Sequence, residues 1–168
     1  MMKKRLAKMN KFGRFVNTDC YGTRKVGTVR WGGLWTVPQY MVDTYGFGWE
    51  HPNGTIMKPG AHYMYDGCSI PPILWNWPGF DPNTFEWSGL MHDFEVRHGG
   101  LYVRFPLGQS FIFTRTSRLV ADNHLRMWIG AEGGNSCQRS MYYRGVRMGS
   151  PFQKFPSIRW WDDDVTEK

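Results

Sequence analysis

Residues 83–100 read Asn83-Thr-Phe-Glu-Trp-Ser-Gly-Leu-Met-His-Asp-Phe-Glu-Val-Arg-His-Gly-Gly100 and predict a central helix. Asn83 and Glu86 have the spacing of a capping box, in which each side chain accepts a hydrogen bond from a backbone amide of the other residue. Two successive glycines are a common end to a helix, because glycine adopts the left-handed conformation without a side-chain clash. The pattern therefore predicts a helix from about residue 84 to 98.

The sequence after this helix predicts a hairpin and two further helices. Residues 101–113 alternate weakly between apolar and polar positions, which is typical of a short hairpin. Thr114 or Thr116 is the expected cap of a second helix, and Ser136 is the expected cap of a third. The third helix should end before Pro151.

The sequence before the central helix predicts strands. From Val26 to Tyr65, short apolar runs alternate with turn sequences such as His51-Pro-Asn-Gly54. The fold class is therefore predicted to be α+β, with an antiparallel β-rich N-terminal half packed on about three C-terminal helices. We expect a basic arm at residues 1–24, a single α+β domain at 25–151, and an extended tail rich in Trp and Asp at 152–168.

The positive charge of the chain is concentrated at its start. The 168 residues carry a net charge of +7, yet residues 1–30 contain nine Lys or Arg and one Asp, so the remainder is close to neutral. This distribution disfavours a nucleic-acid-binding body. We expect any nucleic acid or anionic lipid surface to contact residues 1–30.

Composition excludes several classes of protein. No apolar run approaches the roughly 18 residues of a membrane-spanning helix, and nothing resembles a signal peptide, so we expect a protein that is not transmembrane. Cys20, Cys68 and Cys137 are widely spaced and odd in number, which indicates a reducing compartment or at most one adventitious disulfide. Aromatic residues make up 17% of the chain, a content that suits an oligomer or a larger assembly.

Acidic and imidazole side chains in the second half are candidates for chemistry. Successive helical residues diverge by about 100°, so His92 and Asp93 can serve two adjacent points. A second, antiparallel helix would bring Asp122 to His92 as an orienting carboxylate, while Asp93 faces the turn that contains Asp66. This arrangement predicts a catalytic pair, His92 and Asp122, beside a site for a hard cation formed by Asp66 and Asp93.

A purely structural role for the same residues stays open. Asp66 could accept hydrogen bonds from backbone amides of its own loop. Asp122 could pair with Arg118 or Arg126, each one helical turn away. In that case the acidic and imidazole groups stabilise the fold and have no substrate.

The order of short motifs resembles a known family. The matching stretches cover about residues 25–150, namely Pro59-Gly60, Asp66-Gly-Cys-Ser-Ile-Pro71, Leu74-Trp75, His92-Asp-Phe94, Arg118-Leu-Val-Ala-Asp122 and Met141-Tyr-Tyr-Arg-Gly-Val-Arg-Met-Gly149. They resemble the phage and prophage family catalogued as domain of unknown function thirteen fifty-three. This resemblance implies a phage or prophage origin and a location in the virion or the host cytoplasm, without an established activity.

A second, fainter similarity supplies a mechanism. Asp66-Gly-Cys-Ser69, Gly79-Phe80, His92-Asp-Phe94 and the later Asp122 are similar in order to the motifs of prokaryotic secreted phospholipases A2. The similarity implies that His92 is the base, that Asp93 and the Asp66 loop hold Ca²⁺, and that Asp122 orients His92. Gly89 occupies the position of the cysteine that forms the family's disulfide, so that bond is not expected here.

Two functions from different classes follow. The first is a phage virion or assembly component that binds other structural proteins through a basic N-terminal arm and aromatic-rich surfaces. The second is a calcium-assisted, phospholipase A2-like lipid or ester hydrolase that uses the His-Asp pair. The arm, the aromatic content and Trp160-Trp161 in the tail favour the first.

Overall fold

The fold is α+β, as the sequence predicts. It is taken from a computed structural model that describes residues 8–17, 22–31, 35–43, 46–61, 63–65 and 84–149. The described elements are, in chain order, β1 (Arg14–Val16), β2 (Gly22–Trp31), β3 (Trp35–Asp43), β4 (Gly48–Glu50), β5 (Ile56–Lys58), β6 (Tyr63–Tyr65), α1 (Glu86–His98), β7 (Gly100–Arg104), β8 (Ile112–Arg115), α2 (Arg118–Ala131) and α3 (Ser136–Gly149). The turn at Asp66–Ser69 and the predicted tail at 152–168 lie outside the described residues.

The larger sheet takes strands from both halves of the chain. It is antiparallel and has the order β1-β4-β5-β7-β8, with Met57 opposite Val103 where β5 meets β7. Strands β7 and β8 form the hairpin predicted over residues 101–113, and β8 is an edge strand. A separate three-stranded antiparallel sheet has the order β2-β3-β6, so the predicted strands from Val26 to Tyr65 are present.

Strand β1 lies within the segment predicted as a basic arm, residues 1–24. Phe15 is buried and stacks on Phe47, with ring centroids 5.6 Å apart. The Asn10 side-chain amide donates a hydrogen bond to the carbonyl oxygen of Gly130 in α2, at 3.0 Å. This part of the predicted arm therefore belongs to the folded body, because burial of its aromatic side chains stabilises it there despite the surrounding positive charge.

Helix α1 begins two residues later than the predicted capping box requires. Its N-cap residue is Phe85, which offers no capping side chain. Glu132, directly after α2, accepts hydrogen bonds from the backbone amide of Ser88 at 2.9 Å and from that of Trp87 at 3.4 Å, and the Ser88 hydroxyl also donates to it. The cap of α1 is thus supplied by a distant part of the chain. At the other end, α1 stops at Gly99 in the left-handed conformation, as predicted (φ 68°).

Helix α2 is capped by a residue other than the predicted Thr114 or Thr116. The hydroxyl of Ser117 accepts a hydrogen bond from the backbone amide of Val120, at 3.4 Å. The difference arises because Thr114 lies in β8 and the backbone amide of Thr116 still donates to the carbonyl oxygen of Gly99, at 2.9 Å, so both threonines follow the strand pairing.

Helix α3 starts with a capping box one residue earlier than the predicted cap, Ser136. The Asn135 side chain accepts a hydrogen bond from the backbone amide of Gln138 at 2.9 Å, and the Gln138 side chain accepts one from the backbone amide of Asn135 at 3.0 Å. Two free amides are therefore satisfied reciprocally. Ser136 is the first helical residue instead.

The core has two parts. The first lies between the large sheet and the first two helices, and contains Phe15, Phe47, Trp49, Tyr63, Leu90, Met91, Phe94, Leu101, Val103, Trp128 and Ala131. The second includes side chains of α2 and α3, and contains Phe85, Leu125, Ile129, Tyr142 and Val146. None of the helices in the described part of the chain has the length and apolarity that crossing a bilayer requires.

We expect Glu132→Ala to lower the free energy of unfolding by about 1–2 kcal/mol, the usual effect of removing a helix cap. Glu132→Gln is the matched control, because an amide oxygen can still accept a hydrogen bond from the Ser88 amide, and it should cost less. Urea denaturation followed by circular dichroism measures both. Equal stability of Glu132→Ala and the unmodified protein would contradict this role of Glu132.

Candidate functional site

Helices α1 and α2 pack together and bring His92 to Asp122, the approach that helical geometry predicts. The ring nitrogen Nε2 of His92 lies 2.8 Å from Oδ1 of Asp122. Both side chains are enclosed by protein, with 1% of His92 and 0% of Asp122 exposed. The pair has the geometry of a carboxylate that orients an imidazole, while its catalytic role stays a prediction.

The carboxylate of Asp122 has two further hydrogen-bond partners, both arginines. This is the arrangement expected if Asp122 stabilises the fold. Nε of Arg118 donates to Oδ1 at 2.9 Å, and Nη1 of Arg147 donates to Oδ2 at 3.3 Å. Arg126, the other predicted partner, lies over the ring of Tyr143 instead, 5.0 Å from its centroid. Asp122 therefore connects α1, α2 and α3 through charged hydrogen bonds.

The electrostatics of the pair favour its charged form. Burial by itself would raise the pKa of Asp122, but the hydrogen bond from His92 and the nearby Arg118 guanidinium outweigh burial and lower it. Burial by itself would lower the pKa of His92, but Asp122 and Asp93 outweigh burial and raise it above 6.5. At mildly acidic pH the pair is an imidazolium and a carboxylate.

The second ring nitrogen of His92, Nδ1, is buried and has no hydrogen-bond partner among the described residues. Oδ1 of Asp93 is 3.9 Å away, which is too long for a hydrogen bond. When His92 is neutral with its proton on Nε2, Nδ1 carries a lone pair and can accept a proton.

The predicted calcium site is described only in part. Asp93 is buried beside His92, whereas Asp66 lies outside the described residues. Within the described ranges, no group of three or more His, Cys, Asp or Glu side chains could hold a metal ion. A calcium site that uses Asp93 would need its other ligands from elsewhere in the chain, and it stays a prediction.

A second acid-imidazole pair between the same helices was not predicted. Nδ1 of His124 lies 2.9 Å from Oε1 and 3.0 Å from Oε2 of Glu95. Here the acid is on α1 and the imidazole on α2, the reverse of the first pair. The spacing of three residues between His92 and Glu95, which places both on one face of α1, is the sequence signal for it.

Comparison with known proteins gives no relative. No protein-family model matches the chain, and neither a curated protein nor a solved structure matches it. The resemblance to domain of unknown function thirteen fifty-three and the similarity to phospholipases A2 therefore stay predictions.

We expect Asp122→Ala to lower the free energy of unfolding by about 1–3 kcal/mol, because it leaves the buried His92 ring without its hydrogen-bond partner, while the partly exposed Arg118 and Arg147 can turn to solvent. Glu50→Ala is a suitable control, since it removes a more exposed ion pair with Arg14 (2.7 Å) and should cost less than about 1 kcal/mol. Guanidinium denaturation measures both. Similar losses of unfolding free energy in the two variants would contradict this stabilising role of Asp122.

The raised pKa of His92 predicts a pH-dependent stability. Its contribution is fully present below pH 6.5, the unfolded value, and is lost as the pH rises through the higher folded value. Burial also raises the pKa of Glu132 to about 7, so the ionisation of Glu132 lowers the free energy of unfolding between pH 4.5 and 7. The experiment therefore uses the Glu132→Gln background, in which this effect is absent. Urea unfolding between pH 6 and pH 9 should show a decline that His92→Gln abolishes. The same decline of the free energy of unfolding in Glu132→Gln and in Glu132→Gln/His92→Gln would refute the assignment to His92.

Proposed function

We propose that this protein is a phage virion or assembly component that binds another structural protein along the β8 edge of its five-stranded sheet. The observation that supports this proposal is a cluster of exposed apolar side chains on the β7–β8 hairpin. Their exposed fractions are 53% for Phe105, 100% for Leu107, 54% for Ile112 and 42% for Phe113. Large apolar side chains gathered on one exposed element are typical of interaction sites.

The backbone of β8 supports the same surface. Among the strands of the described residues, β8 pairs with β7 on one side and has no neighbour on the other. An edge strand offers backbone amide and carbonyl groups to which an extended segment of a partner can add as a further strand. Side chains of Ile112 and Phe113 would then contact the added strand and select its apolar positions.

The charge around the hairpin indicates the chemistry of the partner. Residues 100–118 contain Arg104, Arg115 and Arg118 and no Asp or Glu. The Lys58 ammonium lies over the ring of Phe111, 4.3 Å from its centroid. We infer that the partner is an extended protein segment that combines apolar with acidic side chains.

The phage context rests on the family resemblance. A virion or assembly component would use the positive charge of residues 1–30 for a second contact, with nucleic acid or an anionic lipid surface. This contact and the strand contact would together hold the protein in an oligomer or a larger particle.

The test uses particles of the phage or prophage that encodes the chain. After nuclease treatment and density-gradient purification, the tagged protein should co-sediment with particles. The double variant Leu107→Asp/Ile112→Lys should reduce its content at least tenfold, because it places charge on the apolar edge. Met148→Lys, at an exposed apolar residue of α3, is the matched control and should be retained. Unchanged retention of the double variant, or absence of the unmodified protein from particles, would refute the proposal.

A second candidate function, a calcium-assisted acyl hydrolase, is favoured by the unpartnered Nδ1 of His92. Nε2 is held by Asp122 at 2.8 Å, so Nδ1 would take a proton from a water whose oxygen attacks the ester carbonyl. The carbonyl–oxygen bond to the alcohol then breaks, and the proton passes to the leaving alcohol. Ca²⁺ held in part by Asp93 would stabilise the oxyanion.

We expect His92→Gln to lower the hydrolysis of a phospholipid labelled in its sn-2 acyl chain at least a hundredfold, since it removes the base. His124→Gln, which changes the other imidazole of the helix pair, should retain the activity. Liberated fatty acid is measured with calcium and with a chelator. Ester release that survives His92→Gln, or that ignores the chelator, would refute this candidate.

A further inference from the structure

A cavity of about 350 Å³ lies beside the second acid-imidazole pair; it shares Phe105 with the partner surface proposed above, but neither function above uses its interior. Strands β4, β5, β7 and β8 contribute one side of its lining, and α1 and α2 contribute the other. Its apolar lining includes Trp49, Met57, Leu101 and Val103, and its ionisable lining includes Glu95 and His124. The cavity is thus a mainly apolar pocket, partly open to solvent, with a fixed polar group in its wall.

We propose that this cavity is a binding site for an uncharged small molecule that has an apolar body and one hydrogen-bonding group, such as a hydroxyl. The volume lies at the lower end of the roughly 300–1,000 Å³ that small-molecule sites occupy. It suits a single aromatic ring or a short aliphatic chain.

The charges of the lining select against an ionic ligand. Among the described residues, no Lys, Arg or Asp lines the cavity. The carboxylate of Glu95 is buried, and both of its oxygens are engaged by Nδ1 of His124. The third ionisable lining residue, His51, accepts a hydrogen bond from the Asn53 amide at Nδ1. A charged ligand would therefore find no free carboxylate, ammonium or guanidinium group in the described lining to pair with, which is costly.

His124 supplies a fixed hydrogen-bonding group. Because both oxygens of Glu95 hold Nδ1, the orientation of the ring is set. Its other nitrogen, Nε2, makes no hydrogen bond to any residue in the described ranges, and it is left for a ligand. Thr116 lines the same cavity, and its buried hydroxyl oxygen also lacks a partner within those ranges. The Thr116 hydroxyl is the buried group without a partner in the described ranges, whereas the His124 side chain is 15% exposed; a ligand that can hydrogen-bond to both is favoured.

The test compares four fluorinated probes by fluorine NMR: 4-fluorobenzyl alcohol, 4-fluorotoluene, 4-fluorobenzoate and 4-fluorobenzylammonium. The alcohol should bind with a millimolar or lower Kd. Fluorotoluene should bind several-fold more weakly, because it lacks the hydrogen-bonding group. The two ions should bind at least tenfold more weakly than the alcohol. Absence of alcohol binding, or equal binding of the ions, would overturn the proposal.

Substitutions at the cavity lining test whether the probes bind inside the cavity. Thr114→Trp adds bulk at the cavity lining and should abolish alcohol binding, whereas Met148→Trp, at an exposed residue of α3, should leave it unchanged. Glu95→Leu/His124→Phe/Thr116→Val removes the polar pair and the unpartnered hydroxyl together and should make the alcohol and fluorotoluene bind equally. Changes in the backbone amide chemical shifts of the unmodified protein on addition of the alcohol also locate its binding site, and they do not require any variant to fold. Shifts centred on Val103 and Thr114 support the cavity, and shifts centred elsewhere overturn it.

Discussion

The carboxylate of Asp122 has no exposed surface and lies where the three helices converge. A buried charge is tolerated only when its partners satisfy it, because water is no longer there to do so. Those partners are His92 from α1, Arg118 from α2 and Arg147 from α3. The position of each helix is therefore constrained by one side chain, and α1 in turn packs against the large sheet. Any function assigned to His92 has to share Asp122 with this structural task.

Features that depend on neighbouring residues were predictable, and features that depend on distant ones were not. The end of α1 at Gly99 and the β7–β8 hairpin follow from local backbone preferences. The cap of α1 does not, since Glu132 reaches Ser88 across the packed helix pair. Strand β1 was missed for a related reason. Its basic residues indicate a solvated arm, and only the packing of Phe15 in the core reveals a strand.

The same division applies to the candidate site. The approach of Asp122 to His92 was predictable, because helical spacing leaves few ways for two adjacent helices to pair their polar residues. The contact with Arg147 was not, since α3 had no sequence signal that directs it towards that carboxylate. The pair of Glu95 and His124 repeats the first pair with its residue types exchanged. A search for one motif does not detect its reverse, although both obey the same geometry.

The strand order of the large sheet determines whether the chain can be divided into fragments that fold independently. Its middle strands, β5 and β7, come from opposite sides of α1, so their pairing closes a long loop. A fragment that stops before α1 lacks two of the five strands, and a fragment that starts at α1 exposes the unpaired edge of β7. The β-rich half and the helical half are therefore regions of sequence rather than units of folding. During synthesis the sheet can be completed only after β8 is available, which makes folding a late and collective event.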